Sequence, residues 1–268
     1  MFARFVKRGS RQGKSVDLKR WITYQIPVYD NAEQLEIVRR LDAVSALIVK
    51  NRAQINALDD IVKSRFVEMF GTIDDTPFET ATIQELCEPI KDGTHQTPTY
   101  AEGPEDGVAF LSSKDVATGK IDWSRIKYIV PELHEELRRR VAPRRGDILL
   151  AKNGTTGICA IVDTDRIFDL YVTLALLRPI DGVNSYYLWA AVNSDRTKVQ
   201  FDSRLKGVGV PNLHLKEIKQ TLVVKPPLAL QQEFASFVAQ VDKSKFAVQQ
   251  AIEQLETLKA SLMQKYFG

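Results

Sequence analysis

The chain has 268 residues, of which 44% are hydrophobic and 26% are charged, a composition typical of a globular protein with one or two domains. The formal net charge of +3 mildly favours an anionic partner. Cys87 and Cys159 are far apart, so neither a disulfide framework nor a zinc site is expected, and a reducing cytoplasm is the expected location. No apolar run approaches the roughly 20 residues that span a bilayer, so no membrane partner is expected.

The start of the chain resembles a later stretch. The sequence SVDLKRWITYQIPVYDN (15–31) is similar to NLHLKEIKQTLVVKPPL (212–228), because in both a polar–Leu–Lys segment leads through an apolar run to proline. The first fifteen residues are basic but contain no apolar core, so a secretory signal is not expected. We interpret residues 1–25 as the tail remnant of a preceding module.

Two long helices follow the same repeat. From Gln34 to Phe70 there is no proline or glycine, and apolar residues recur in steps of four and three, which indicates a heptad seam. A shift of 197 residues overlays this stretch on the end of the chain, where SLMQKYFG repeats SRFVEMFG. Gly71 is expected to end the first helix. The predicted seam residues are Ile37, Leu41, Val44, Ile48, Ile55, Leu58, Val238, Val241, Val248, Ile252, Leu255 and Leu262.

Two helices of equal length are better explained by mutual packing than by separate packing on a core, which is the alternative. We prefer an antiparallel pair, since the intervening domain then lies at one end of the rod. Asn51 opposite Lys245 or Lys259 would fix the register of such a pair. The predicted spacer helices occupy residues 26–71 and 226–268.

Residues 72–225 break the helical period. Short apolar runs bounded by Gly, Asp and Pro, such as GDILLAKNG, GICAIVD and VTLALLRPI, predict strands, and residues 184–204 predict a helix opened by an Asn-Ser cap. The predicted fold class is therefore α+β, with one mixed α/β domain flanked by two long heptad helices that form an antiparallel coiled coil.

Three polar stretches in this domain have both a structural and a functional interpretation. The sequence IKDGTHQTPTY (90–100) is either a turn built on Asp92-Gly93 or a loop that reaches nucleic-acid bases or phosphates. LRRRVAPRRGDILLAKNGTTG (137–157) is either a solvated, partly self-paired charged face or a phosphate-binding surface. DSRLKGVGVPNL (202–213) carries glycines that allow a close approach to a backbone.

Four segments together resemble the specificity (S) subunit of type I restriction–modification enzymes: KDGTHQTPTY, FLSSKDVATGKID, RRGDILLAKNGTTG and GVGVPNLHLKEIKQTLVVKPPLALQQEF. The resemblance covers essentially the entire chain. It implies a non-catalytic protein with no cofactor or metal, in which a target recognition domain reads half of an interrupted double-stranded DNA site. It also implies helical spacers that dock methyltransferase (M) subunits and, through them, restriction/motor (R) subunits.

The usual subunit of this family has two complete recognition domains, whereas only one is predicted here. The chain is then expected to be a C-terminal half, a recombined cassette, or a half-subunit that forms a homodimer. The expected DNA contacts divide between backbone-holding cations and base-reading polar groups. They are Lys91, Thr94, His95, Gln96, Lys114, Arg144, Lys152, Arg204 and Lys206.

Other classes of protein remain as alternatives. The tripeptide at 217–219, EIK, has the acidic–x–Lys form of a metal-dependent nuclease but lacks a convincing acidic partner. A methyltransferase is disfavoured because neither an Asn/Asp-Pro-Pro-aromatic motif nor a persuasive glycine-rich cofactor loop is found. A coiled-coil interaction protein or a silent cassette, without DNA binding of its own, would explain the helices but not the polar loops. Steep salt dependence of DNA binding would separate a DNA-binding subunit from a coiled-coil interaction protein.

Overall fold

The structure, a computed structural model, describes residues 6–8, 14–16, 22, 27–206 and 211–268. The chain divides into two compact units. We call residues 1–59 with 242–268 the helical unit, and residues 60–241 the sheet unit. In the helical unit, strands β1 (Val6–Arg8) and β2 (Lys14–Val16) form an antiparallel pair. Most of the predicted tail remnant, residues 1–25, lies outside the described residues.

Two helices of forty residues dominate the chain, α1 (Asn31–Phe70) and α6 (Leu228–Phe267). Reciprocal contacts open α1: the Glu33 amide donates to the Asp30 carboxylate at 2.8 Å, and the Asp30 amide donates to the Glu33 carboxylate at 3.2 Å. This is a capping box with Asp in place of Ser, and it starts the helix three residues before the predicted Gln34. Among the described residues, no helix is long and apolar enough to cross a membrane.

The two long helices pair in opposite directions within the helical unit. The Tyr29 hydroxyl donates to the Tyr266 carbonyl oxygen at 3.2 Å, and Arg52 forms an ion pair with Glu256 at 2.7 Å. Further along, Lys245 of α6 pairs with Asp59 of α1. Residues with higher numbers in α1 contact residues with lower numbers in α6, so the pair is antiparallel. The predicted fold class is therefore confirmed.

Apolar side chains fill the seam of this pair. Lys245 is one of the two lysines expected opposite Asn51. It is 7% exposed, and its ammonium pairs with Asp59 and Asp242, so the charge that it brings to the seam is neutralised. Ile37, Val238 and Val241 are also buried, whereas Leu41 and Leu58 are half-buried. The apolar cluster of the seam consists of Val44, Ile48 and Ile252 with Ile55, Val248, Leu255 and Leu262 packed against them.

The sheet unit contains nine strands and four short helices within its described residues. The strands are β3 (Glu79–Thr82), β4 (Lys91–Asp92), β5 (Val108–Leu111), β6 (Lys127–Ile129), β7 (Ile148–Ala151), β8 (Cys159–Ile161), β9 (Phe168–Leu170), β10 (Leu174–Leu177) and β11 (Leu222–Lys225). The helices are α2 (Pro131–Arg138), α3 (Ser185–Val192), α4 (Asp195–Asp202) and α5 (Leu215–Lys219).

These strands form three small sheets, and buried side chains from two of them share one apolar core. Four strands pair antiparallel in the order β4-β10-β7-β8, and β3 pairs with β11. In the third sheet β5 pairs antiparallel with β6 and parallel with β9. Every residue of β7 and β10 is buried, which explains why these strands are continuous apolar runs rather than alternating ones. The core between the sheets therefore fixes where the polar loops at the strand ends lie.

The single helix predicted over residues 184–204 is wrong in one respect. The structure has two helices there, α3 and α4, separated by Asn193 and Ser194. The Ser194 hydroxyl accepts from the Thr197 amide at 3.4 Å and caps a new helix, because serine satisfies an N-terminal amide better than it continues a helix. The predicted Asn184 cap is present, with its side chain accepting from the Tyr186 amide at 2.9 Å.

An aromatic cluster inside the sheet unit joins the ends of the long helices to the sheets. Phe66 and Phe70 come from α1, Tyr187 from α3 and Phe234 from α6. The Phe70 ring lies 5.2 Å from Tyr187 and 5.6 Å from Phe234, both edge to face, and Phe66 stacks on Tyr187 at 5.9 Å. Phe70 has no exposed surface. These four rings provide a rigid attachment between both helix ends and α3.

Gly71, which follows α1, should be intolerant of a side chain. Its φ is +70°, and a Cβ atom there would lie 2.2 Å from the Asp75 carbonyl oxygen. We expect Gly71→Ala to lower the free energy of unfolding by more than about 1 kcal/mol, as measured by chemical denaturation. Gly119→Ala is the matched control, because Gly119 has φ +79° with nothing within 4 Å of the added methyl. Equal losses in both variants would mean that only the backbone angle matters at Gly71.

Candidate nucleic-acid interface

The first predicted contact loop is organised by a buried carboxylate, Asp92. This residue ends β4 and is 4% exposed. One of its oxygens accepts from Arg140 at 2.9 Å, and the other lies 3.3 Å from the Lys152 ammonium. The second oxygen also lies 3.1 Å from the His95 ring nitrogen Nε2. Three basic side chains from separate segments therefore converge on one carboxylate.

Two opposing effects set the charge of Asp92. Burial raises the pKa of its carboxyl group, but the hydrogen bond from Arg140 and the charge and hydrogen bond of Lys152 lower it by more, with His95 adding to them. The net effect is a pKa below the ordinary value. Asp92 is accordingly the ionised centre of this network at neutral pH, and it holds its basic partners in fixed positions.

The loop after Asp92 is held from both sides. Arg140 also donates to the Gly93 carbonyl oxygen at 2.8 Å, and Lys91 donates to the Arg140 carbonyl oxygen at 3.2 Å. A Cβ atom on Gly93 would lie 2.1 Å from the Leu170 carbonyl oxygen, so only glycine allows β4 to run this close to the end of β9. The loop is thus fixed by backbone as well as by charge.

The predicted residues of this loop differ in exposure. The His95 side chain is 67% exposed, and the Gln96 amide donates to Glu136 of α2 at 3.3 Å on the surface. Thr94 is 5% exposed, and its hydroxyl accepts from the backbone N–H of Gln96 at 3.1 Å. Lys152 is 7% exposed. His95 and Gln96 are available to a ligand, whereas Thr94 and Lys152 support the loop from beneath.

Neighbouring loops join this one through backbone hydrogen bonds. The Thr94 amide donates to the Leu170 carbonyl oxygen at 2.9 Å, and the Lys152 amide donates to the Thr173 carbonyl oxygen at 2.9 Å. The Thr173 hydroxyl accepts from the Ser113 amide at 3.0 Å. Lys114, next to Ser113, is exposed and forms no ion pair within the described part of the chain. The Lys114 ammonium is therefore free to contact an anion beside the loop.

The third predicted stretch packs against the same place. The Leu213 amide donates to the Lys152 carbonyl oxygen at 2.8 Å, and the amide of Gly154 donates to the Pro211 carbonyl oxygen at 3.2 Å. Lys206 exchanges backbone hydrogen bonds with Asn212, and residues 207–210 lie outside the described residues. We name residues 91–96, 113–114, 152–154, 171–173, 206 and 211–213 the loop cluster.

Two predicted contacts lie outside the loop cluster. The Arg204 guanidinium donates to the Thr221 hydroxyl at 3.0 Å and to the Glu217 carbonyl oxygen at 3.5 Å. Arg144 lies 3.4 Å from Glu88, close to Arg178, which pairs with the buried Asp147 at 2.7 Å. The structure therefore brings together seven of the nine predicted residues: Lys91, Thr94, His95, Gln96, Lys114, Lys152 and Lys206.

Asp92 and Arg140 were missed by sequence reasoning. Asp92 was interpreted only as a turn residue, and Arg140 as one member of a charged run. A lone Asp followed by Gly is indeed a turn signal, and nothing local indicates that Arg140, 48 positions away, lies 2.9 Å from it.

Neither cysteine contributes to the loop cluster. Both thiols are free and buried, and burial, assisted by Asp147, raises the pKa of Cys87 to about 12. Burial also raises the pKa of Cys159. Among the described residues, no three His, Cys, Asp or Glu side chains are grouped so that they could hold a metal ion. The chemistry available in the loop cluster is hydrogen bonding and positive charge.

Comparison with known families identifies the family of this chain. Residues 78–257 match the type I restriction modification DNA specificity domain, which is about two thirds of the chain. The chain therefore belongs to this family, and the resemblance expected from the sequence is confirmed. The matched region includes the entire loop cluster and much of α6.

One curated relative and several solved structures are similar to this chain. The specificity subunit of the type I restriction enzyme MjaVIII from Methanocaldococcus jannaschii is 24% identical over 92% of this chain, which spans only 62% of that relative. An HsdS subunit from Thermoanaerobacter tengcongensis has a TM-score of 0.54 at 18% identity. The match covers 99% of this chain and 66% of that subunit. The type I S subunit from M. genitalium has a TM-score of 0.56 at 13% identity, and the match covers 99% of this chain and 68% of that subunit. At these identities the solved structures support the fold.

Proposed function

We propose that this chain is a non-catalytic, sequence-specific DNA-binding subunit of a type I restriction–modification complex. In this proposal, residues 72–225 form a target recognition domain that reads one half of a bipartite double-stranded DNA site. Residues 26–71 and 226–268 form the spacer helices. Two free cysteines are consistent with action in a reducing cytoplasm.

The loop cluster carries the proposal. Its exposed groups combine hydrogen-bonding side chains, His95 and Gln96, with exposed cations, Lys91, Lys114 and Lys206. Base edges are read by such polar groups, while cations hold phosphates in register. The ion pairs of Asp92 hold the loop before DNA arrives, so little order must be gained on binding. The buried Thr94 and Lys152 then act by positioning the loop.

The helical unit supports the proposed docking of methyltransferase subunits. Exposed apolar side chains lie on both long helices outside the seam: Leu35, Val38 and Val49 on α1 and Phe246 on α6 are 53–70% exposed. Exposed apolar surface of this extent favours a protein partner. Restriction/motor subunits would join through the methyltransferase, and a homodimer of this chain would present two recognition domains.

A coiled-coil interaction protein or silent cassette remains the second candidate, favoured only by these same exposed apolar residues. Two measurements separate these candidates. The first is the light-scattering mass of the chain, alone and with the matching methyltransferase subunit, and the second is a DNA-binding assay. The proposal predicts a stable complex with the methyltransferase that binds duplex DNA. A complex that forms without binding DNA would favour the interaction protein instead.

Base reading and phosphate holding should separate by mutation. We expect Gln96→Ala to cost about 1–3 kcal/mol on the preferred sequence and to relax the preference at one position, because the amide reads a base. Lys114→Ala should weaken binding to all sequences alike and reduce the salt slope by about 1. Competition titrations with single-base variants of the preferred duplex measure both. If the two variants behave identically, this division of roles is refuted.

A further inference from the structure

A second basic surface lies outside the loop cluster, in a cleft of about 180 Å³ in the sheet unit. Four arginines line it, from α2, from the segment before β7 and from the segment before β9. Its acidic lining residues are Asp165 and the buried Asp169. Four guanidinium groups against two carboxylates leave an excess of two positive charges when His134 is neutral. The four arginines are Arg138, Arg144, Arg145 and Arg166.

Only part of this charge is neutralised by the protein. Arg145 makes two contacts with Asp165, at 3.0 and 2.8 Å, and is fully committed. Arg144 has one contact of 3.4 Å, with the exposed Glu88. The side chains of Arg138 and Arg166 form no ion pair with any described residue. Two exposed guanidinium groups beside a concave surface therefore remain available to an anion.

Two side-chain contacts hold the walls of the cleft. The Arg166 guanidinium lies 4.9 Å from the centre of the Trp123 ring, and this stacking limits its rotation. Beneath the arginines, the buried His134 ring contacts the Asp169 carboxylate at 2.6 Å and pins α2 to β9. Planar, preorganised guanidinium groups bind phosphate oxygens well, since less side-chain freedom is lost for each hydrogen bond.

Helix α2 joins the cleft to the loop cluster. Its residues His134 and Arg138, one turn apart, line the cleft, whereas Glu136 contacts Gln96 of the loop cluster. Positions two apart on a helix lie on opposite faces, so α2, about 10–12 Å across with its side chains, separates the cleft from Gln96. Duplex DNA carries a phosphate about every 3.4 Å of axis on each strand, so about three phosphate spacings cover that width. Phosphates that flank the bases contacted by the loop cluster are therefore the ones that could reach the cleft.

We infer that this cleft binds a phosphate of the DNA backbone beside the bases that the loop cluster reads, through Arg138 and Arg166. The inference rests on the proposed function and adds a site for affinity rather than for sequence. Phosphate contacts position a protein on DNA without carrying sequence information. The cleft should therefore contribute equally to target and mixed-sequence duplexes.

The double variant R138Q/R166Q tests this inference in the full chain. The expected result is weaker binding to a mixed-sequence duplex, with a salt slope reduced by about 1, the loss of one phosphate contact. The preference between selected and mixed duplexes should stay unchanged. R39Q/K50Q is the charge-matched control, because Arg39 and Lys50 are exposed on α1, and it should leave the slope unchanged.

Three results would overturn the inference or separate it from the proposed function. If the wild-type protein prefers one sequence but R138Q/R166Q retains the full salt slope, the cleft assignment is wrong and the proposed function stands. If the wild-type protein prefers no sequence, the proposed function itself fails. Titration of inorganic phosphate tests the other source of the same chemistry, followed by tryptophan fluorescence, to which Trp123 beneath Arg166 contributes. A saturable change that R166Q abolishes, with no effect on DNA binding, would assign the cleft to free phosphate.

Discussion

Replacement of Asp92 with alanine is expected to lower the free energy of unfolding by about 3–5 kcal/mol, because it leaves a buried charge without its partner. The Lys152 side chain is 8% exposed, and its ammonium lies 3.3 Å from Asp92. Asp92→Ala should also abolish the preference among DNA sequences, since Arg140 and His95 lose the group that orders the loop. Chemical denaturation and competition binding measure the two effects.

A second substitution distinguishes the buried charge from general damage. Lys152→Met in the Asp92→Ala background should recover much of the lost stability, because the unpaired ammonium is replaced by an apolar chain of similar volume. DNA preference should not return, as the loop still lacks its anchor. Asp165→Ala is the control, an exposed carboxylate paired with Arg145 on the surface, and it should change stability little. If Asp92→Ala changes stability as little as Asp165→Ala does, Asp92 is not the organising group.

Acid should remove the contribution of Asp92 in a defined direction. Its folded pKa is lower than the ordinary value of 3.8, so the unfolded state binds the proton more tightly. The stabilisation is therefore complete well above pH 3.8 and is lost as the pH falls through the lower, folded pKa. The stability difference between wild type and Asp92→Asn should shrink in that acidic window.

Replacement of Phe70 with alanine should produce the second large effect, a loss of about 3–5 kcal/mol in the free energy of unfolding. The Phe70 ring is fully buried and contacts Phe66, Tyr187 and Phe234. Its removal leaves a cavity where the ends of α1 and α6 meet α3, and well-packed rings around it cannot collapse to fill the space. Thermal and chemical denaturation of the purified chain provide the measurement.

Phe246 provides the matched control for this prediction. It lies on α6 but is 65% exposed, so Phe246→Ala should change stability by no more than about 0.5 kcal/mol. Phe246→Ala should instead weaken association with the methyltransferase, because this residue belongs to the exposed apolar surface proposed for docking. Equal destabilisation by the two variants would show that the aromatic cluster does not anchor the helices.

The long helices could be predicted from the sequence because their signal is local and repeated. Heptad spacing, the absence of proline and glycine, and Gly71 at the end all lie within the helix or beside it. The break between α3 and α4 was missed although Ser194 followed by Asp195 is a recognisable cap, because the surrounding helical residues gave a stronger signal.

The candidate site could be predicted only in part. Polar loops with lysines predict where DNA contacts are expected, but residue type does not reveal burial, so the sequence alone groups Lys152 and Thr94 with exposed residues. The network around Asp92 depends on Arg140 and Lys152, which are 48 and 60 positions away. Such long-range ion pairs arise from strand order, which the periodicity of single segments does not encode. The arginine cleft was seen as a charged run, without the His134–Asp169 pair beneath it.

Selection of bound duplexes from a random pool tests whether this chain reads a DNA sequence. The full chain, together with its matching methyltransferase subunit, would be used for capture, and the retained DNA would be sequenced. We expect enrichment of one short fixed sequence, relaxed at one position by Gln96→Ala and lost with Asp92→Ala. In a homodimer, two inverted copies at constant separation should appear. If a complex that binds duplexes stably retains DNA with no enriched sequence, this chain does not confer sequence-specific DNA binding.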